Sequence, residues 1–280
     1  MSISVNSIAY KQFGNCLQIS NGMIELVIPL EFGLRILRYG RCGGENLFYE
    51  QENAHIELNT PEGWQIYGGH RLWVAPETTD DYFPDNHPIE YRIKEDGIIL
   101  RQDLDLRLNL KKEIEITLQQ RTTAVELIHR VRSFNKIQKH LALWAITAMR
   151  SDGEQIIPYI APDTGMAPNR FISFWPYTDP ADVRFRFAAD AVTVNHLPFE
   201  RKFKIGLNNH CGRAYYRFGN EVFSKSFKHD ATLLYPDNNV SYQTFLCKYM
   251  TEMETLSPLY SLNPGEVAQH AERWEIVAQA

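Results

Sequence analysis

From Glu113 to Leu118 the chain reads Glu-Ile-Glu-Ile-Thr-Leu, and from Ala124 to Val131 apolar and polar residues again take turns almost without interruption. A two-residue period puts every apolar side chain on one face of an extended strand, and it is incompatible with a helical stripe. Related runs recur along the chain. Met23 to Pro29 is β-branched and apolar, and after a turn Gly33 to Tyr39 alternates, predicting an antiparallel pair. Residues 89 to 149 read as a meander, in which His140 to Met149, with Trp144, Ile146 and Thr147, is a buried strand. Further strands are expected at Phe203 to Leu207, Arg213 to Phe218, Val222 to Phe227, Ala231 to Tyr235 and Gln243 to Glu254, and a last one ends at Val277. Three stretches read as loops: Glu50 to Pro61, Thr78 to Pro88, and 158 to 182, whose five prolines rule out a regular central strand and place it over the sheet as a cleft wall. With no sustained heptad, internal repeat or linker, the 280 residues are expected to form one all-β domain, 1–280, built on two large packed sheets.

Ten residues concentrate chemistry. Gly68-Gly69-His70-Arg71-Leu72-Trp73-Val74-Ala75-Pro76-Glu77 combines a titratable base, a permanent cation, an indole and a carboxylate after two glycines that let the backbone come close to a ligand. In an extended segment Arg71 and Trp73 share one face and His70 and Leu72 the other. Arg71 with Trp73 forms a platform for a hydroxylated ring; in the blander reading Trp73 fills the core and Arg71 pairs with Glu77. At the other end, Thr244 to Leu256 reads as one strand that puts Glu252 and Glu254 on one face. Like charge and burial both push such carboxyls upward, towards the range of a base near neutral pH. The competing reading is a pair of solvent-facing glutamates on an edge strand. Lys204, Lys225 and Asp237 fall in strands or turns that reach the same cleft and are further binding candidates.

Net charge is −5 with a pI near 6.0 and no basic run, which argues against nucleic acid and anionic membranes and for a small neutral ligand. The N-terminus lacks a signal-like apolar core and no segment is apolar enough to span a bilayer, so a cytoplasmic protein is expected. Cys16, Cys42, Cys211 and Cys247 fit no metal spacing and read as free thiols. No metal or cofactor is expected. A cupin-type metal enzyme is set aside because no His-X-His occurs.

Four pieces of the chain, in order, resemble the aldose 1-epimerases and the wider galactose-mutarotase-like group: Asn21 to Ile36; Gly69-His70-Arg71; Val125 to Asn135 followed by Leu141 to Thr147; and Met253-Glu254-Thr255 with Pro258 and Leu262-Asn263-Pro264-Gly265-Glu266. The resemblance implies a galactose-mutarotase-like β-supersandwich that binds a carbohydrate and interconverts its anomers or epimers by acid/base catalysis. Glu254 matches the family's general base, and His70 and Arg71 match the pair that positions the sugar. The family's central histidine does not carry over, because the chain reads Ile146-Thr147-Ala148-Met149 there and the nearest histidines are His129 and His140. His70 is then the candidate acid, and Glu254 with His70 the candidate catalytic pair, with Arg71, Trp73, Glu77, Lys204, Lys225 and Asp237 binding substrate. The alternative is a non-catalytic carbohydrate-binding or regulatory module on the same fold. The sequence says nothing of oligomeric state.

Overall fold

The computed structural model describes residues 3–51 and 64–277; the loop expected over 50 to 61 lies from residue 52 on outside them. The described residues form three antiparallel sheets. The ten-stranded sheet runs, edge to edge, through Phe185–Phe187, Ala191–Asn195, Glu154–Pro158, Arg213–Phe218, Glu221–Phe227, Val267–Val277, Val125–Ser133, Leu110–Leu118, Gly97–Arg101 and Glu90–Ile93. An eight-stranded sheet faces it, ordered Ile172–Phe174, Phe203–Leu207, Tyr242–Leu246, Thr251–Leu256, Lys139–Met149, His70–Ala75 and Arg35–Ile36, with Tyr260–Leu262 joined to Lys139–Met149 at one end. The third sheet, with four strands, takes Ser4–Ala9, Asn15–Ser20, Ile24–Pro29 and Arg38–Arg41. No helix among the described residues is long and apolar enough to cross a membrane.

Burial follows the periodicity that the sequence displays. Leu110–Leu118 alternates buried and half-buried positions, as a strand with one wet face must. In His70–Ala75 and Thr251–Leu256 every residue is buried, so both faces of the eight-stranded sheet are covered there. Its inner face contributes Leu143, Met253, Tyr242, Phe203 and Ile205 to a core shared with Leu127, Val131, Phe223, Ala268 and Trp274 of the ten-stranded sheet. Its outer face carries a second apolar cluster in which Trp64, Ile66, Val240 and Met250 lie over Trp73, Trp144, Ile146 and Leu256.

Three expectations are corrected. Gln243 to Glu254 is not one strand: Tyr242–Leu246 and Thr251–Leu256 form a hairpin whose turn is closed by the Cys247 N–H donating to the Met250 carbonyl at 3.2 Å. Ala231 to Tyr235 is a turn rather than a strand. The segment after Gly33 divides, Arg38–Arg41 pairing with Ile24–Pro29 as expected while Arg35–Ile36 crosses to pair with His70–Ala75. The two glycines before His70 serve the backbone. Both have positive φ, and a Cβ would lie 2.1 Å from the Tyr49 carbonyl oxygen at Gly68 and 2.3 Å from that of Ile36 at Gly69. The close approach that the pair permits is to neighbouring chain, not to a ligand.

One charged group lies in the middle of the apolar contact between the two large sheets. The Lys225 ammonium, with no exposed surface, pairs with Glu272 at 2.9 Å and donates to the Ala145 and Met253 carbonyls at 3.1 and 3.0 Å and to Thr147 Oγ1 at 2.9 Å. Removing one partner of such a pair strands the other without compensation. Lys225→Met should therefore lower unfolding stability by roughly 3–5 kcal/mol, and adding Glu272→Gln should recover part of the loss. Urea midpoints at constant m-value measure both.

Candidate functional site

Strand alternation decides which expected residues meet. Arg71 lies level with Ile146, and Ile146 with Glu254, across three adjacent strands. Arg71, Trp73, Trp144, Glu252 and Glu254 therefore share the outer face, and Lys204, level with Phe245 and Glu252, joins them. Two buried ion pairs form there, Arg71 Nη1 to Glu252 Oε1 at 2.9 Å and Lys204 Nζ to Glu254 Oε2 at 3.1 Å. The alternative pairing of Arg71 with Glu77 is not what forms: Glu77 instead accepts the Tyr82 hydroxyl.

Glu254 has no exposed surface. Its Oε2 also accepts the Trp144 indole N–H at 2.7 Å, whereas Oε1 has no hydrogen-bond partner. Burial pushes the carboxyl up to about 7, Lys204 draws it back and Glu252 raises it. Lys204 itself is pinned against two indoles, its Nζ 4.3 Å from the Trp144 ring centre and 4.9 Å from that of Trp175. Beside this group a cavity of about 400 Å³ is lined by residues that include Glu77, Tyr82, Trp144, Trp175, Asp237 and Gln243. Asp237 sits at a left-handed φ of 52°, accepts the Gln243 amide N–H at 2.7 Å, and is raised by burial. Trp175 comes from the proline-rich stretch expected to wall a cleft.

Trp73 is placed differently from the expected open platform. It is 5% exposed, with Trp64, Tyr82 and Trp144 edge-on at 5.4, 5.0 and 5.7 Å and the Arg71 guanidinium 4.7 Å from its ring centre. Arg71 and Trp73 line a separate cavity of about 90 Å³ with Trp64 and Asp81. The indoles facing the larger space are Trp144 and Trp175. Trp144 had been legible only as a strand residue, and Trp175 and Gln243 carried no motif.

His70 and Lys225 are not brought to this face. His70 points between the sheets, its Nε2 2.8 Å from His129 Nε2 and its Nδ1 2.9 Å from Thr147 Oγ1. Since His129 Nδ1 faces the His270 carbonyl at 3.0 Å, it must donate there, so in the neutral ring Nε2 accepts and His70 supplies the N–H. Burial, the first cause for both, lowers the pKa of each ring and keeps it neutral. The His70 proton is thus committed to a partner inside the core. Lys225, expected at the cleft, is separated from it by the thickness of the same sheet. His70, His129 and Glu272 have ligand-type atoms within 4.8 Å of one another, the one such set among the described residues. These atoms already bond one another or the Lys225 ammonium, Thr255 and Trp274, and that ammonium stands where a cation would balance Glu272.

No protein-family model matches the chain, and no curated protein matches it in sequence. Solved structures do. One from Escherichia coli K12, provisionally assigned as an aldose 1-epimerase, superposes with a TM-score of 0.62 at 10% identity over 99% of this chain and 100% of its own. A galactose mutarotase-like protein from Lactobacillus casei ATCC 334 gives 0.58 at 9% identity over 94% and 100%. A TPR-domain-containing protein from Parabacteroides distasonis ATCC 8503 gives 0.66 at 10% identity, over 95% of this chain and 47% of that one. The fold is a galactose-mutarotase-like β-supersandwich. At these identities the likeness is one of architecture, and the chemistry of the outer face has to be argued from its own residues.

The Lys204 ammonium favours the ionised form of Glu254, so removing it must raise the pKa. In Lys204→Met the Glu254 carboxyl should titrate above its wild-type value of about 7, as read from its ¹³C chemical shift with Glu254→Gln used for assignment.

Proposed function

We propose that the chain, as one galactose-mutarotase-like domain spanning 1–280, binds a carbohydrate against Trp144 and Trp175 and interconverts its anomers, with Glu254 as the base. The observation that carries this reading is the unpartnered, fully buried Oε1 of a carboxyl that burial pushes up to about 7. A base works best when its pKa is near the operating pH, and a free lone pair is needed to take the proton. The likeness to the mutarotase-like and provisionally assigned aldose 1-epimerase structures supports a sugar as ligand.

In the forward step Glu254 Oε1 takes the proton of the anomeric hydroxyl while the ring C–O bond breaks and the exocyclic C=O forms. The ring oxygen takes a proton from water, because no described lysine or histidine lines the cavity and Lys204 stays paired with Glu254. After rotation about the bond to C2 the ring closes on the other face and both protons return. His70 and Lys225 take no part, Arg71 holds Glu252 beside Glu254, and Glu77 and Asp237 meet the sugar. Free Cys16, Cys42, Cys211 and Cys247 suit a reducing compartment such as the cytoplasm.

A second reading, the non-catalytic sugar-binding module, is favoured by two observations: Glu254 is wholly buried, and no described histidine lines the cavity. Polarimetry or exchange NMR on freshly dissolved aldoses separates the two. Catalysis should fall as pH drops through about 7, because the protonated carboxyl cannot accept, and Glu254→Gln should reduce it by roughly 10²-fold or more. An equally active Gln variant excludes Glu254 as the base. Saturable sugar binding without acceleration of any aldose selects the module.

A further inference from the structure

Among the described residues of the outer face, the donor Arg71 Nε is unpartnered beside the smaller cavity, whereas the capacity left open by Gln243 and Glu254 is one-sided. Gln243 is 1% exposed, and its Nε2 is spent on Asp237, because turning the amide would set its oxygen against a carboxylate; its Oε1 is left without a partner. Glu254 Oε1 is likewise unpartnered. Glu77 and Asp237 line the cavity as carboxylates whose known partners are a phenol and an amide, not cations. The cations of this face are spent below it, Arg71 on Glu252 and Lys204 on Glu254. Burial raises the Asp237 carboxyl and Lys204 only partly offsets this, its ammonium staying bonded to Glu254 and seated between Trp144 and Trp175. Among the described residues no Lys or Arg lines the cavity.

A site offering acceptors, surplus negative charge and aromatic walls selects a ligand that brings donors and positive charge. A phosphorylated or acidic sugar would place its anion beside two carboxylates with no cation to meet it. We propose that the cavity takes an amino sugar, its protonated amine against Glu77 and Asp237 and its ring on Trp144 and Trp175, with Gln243 Oε1 receiving a hydroxyl or ammonium hydrogen. This rests on the reading above that a saccharide occupies the cavity, and it names the class.

The test is calorimetric titration of the whole protein at low ionic strength and about pH 6.5, where an amine of this kind is protonated. The probes are 2-amino-2-deoxyglucose, -galactose and -mannose, their N-acetyl derivatives, the parent hexoses and glucose 6-phosphate. At least one amine should bind about tenfold more tightly than its N-acetyl derivative and its parent, a preference that shrinks with added salt. Glu77→Gln and Asp237→Asn should each narrow that gap, and Glu77 is exposed enough for its variant to keep the fold. If a neutral hexose or the phosphate binds as well as every amine, or if the amine preference survives both variants, the amino-sugar assignment is overturned while the saccharide site stands. If no sugar of any charge binds, the saccharide site falls and takes this inference with it.

Discussion

A lysine ammonium buried between two apolar sheets is the constraint on which the rest of the arrangement turns. Lys225 cannot be left charged there without partners, and those it finds include the Ala145 and Met253 carbonyls of the two strands that carry Trp144, Ile146, Glu252 and Glu254 on their other side. The inner polar knot thereby fixes the backbone beneath the outer site. It also fixes protons: the chain from Lys225 through Thr147, His70 and His129 to the His270 carbonyl has one consistent assignment of donors and acceptors, which holds both imidazoles neutral. The outer face is organised differently. Each of its cations is matched to one glutamate, and the unpartnered acceptors Glu254 Oε1 and Gln243 Oε1 remain, Gln243 lining the larger cavity.

Much of the architecture was legible because period-two alternation survives wherever one sheet face is wetter than the other. Glu113 to Leu118 and Val125 to Val131 declared their strands, and the split of Arg71 and Trp73 from His70 and Leu72 followed from alternation alone. The facing of that split was not legible. His70–Ala75 is buried on both sides, so nothing in its composition says which side meets the ten-stranded sheet. His70 consequently looked as available as Arg71. The same ambiguity concealed the character of Lys225, a charge that the sequence offers for a cleft and the fold places in a core.

The turn at 247–250 was hidden for a related reason. Cys-Lys-Tyr-Met contains no glycine, proline or asparagine, and its residues continue the strand-like composition on either side. The pairing of Glu252 with Glu254 was still readable because both fall after the turn, in Thr251–Leu256. Trp175 and Gln243 belong to the site through tertiary contact, and no local pattern announces a loop indole or a strand amide as a wall of a cavity.

The alternation of His70 and Arg71 has a further meaning. The two residues hang from consecutive positions of one strand, an imidazole facing the core and a guanidinium facing the outer layer. A bulge of one residue just before them would exchange their sides, delivering an imidazole to the outer face and a second cation to the interior. The presence or absence of a histidine at such a site is then a matter of strand phase as much as of composition.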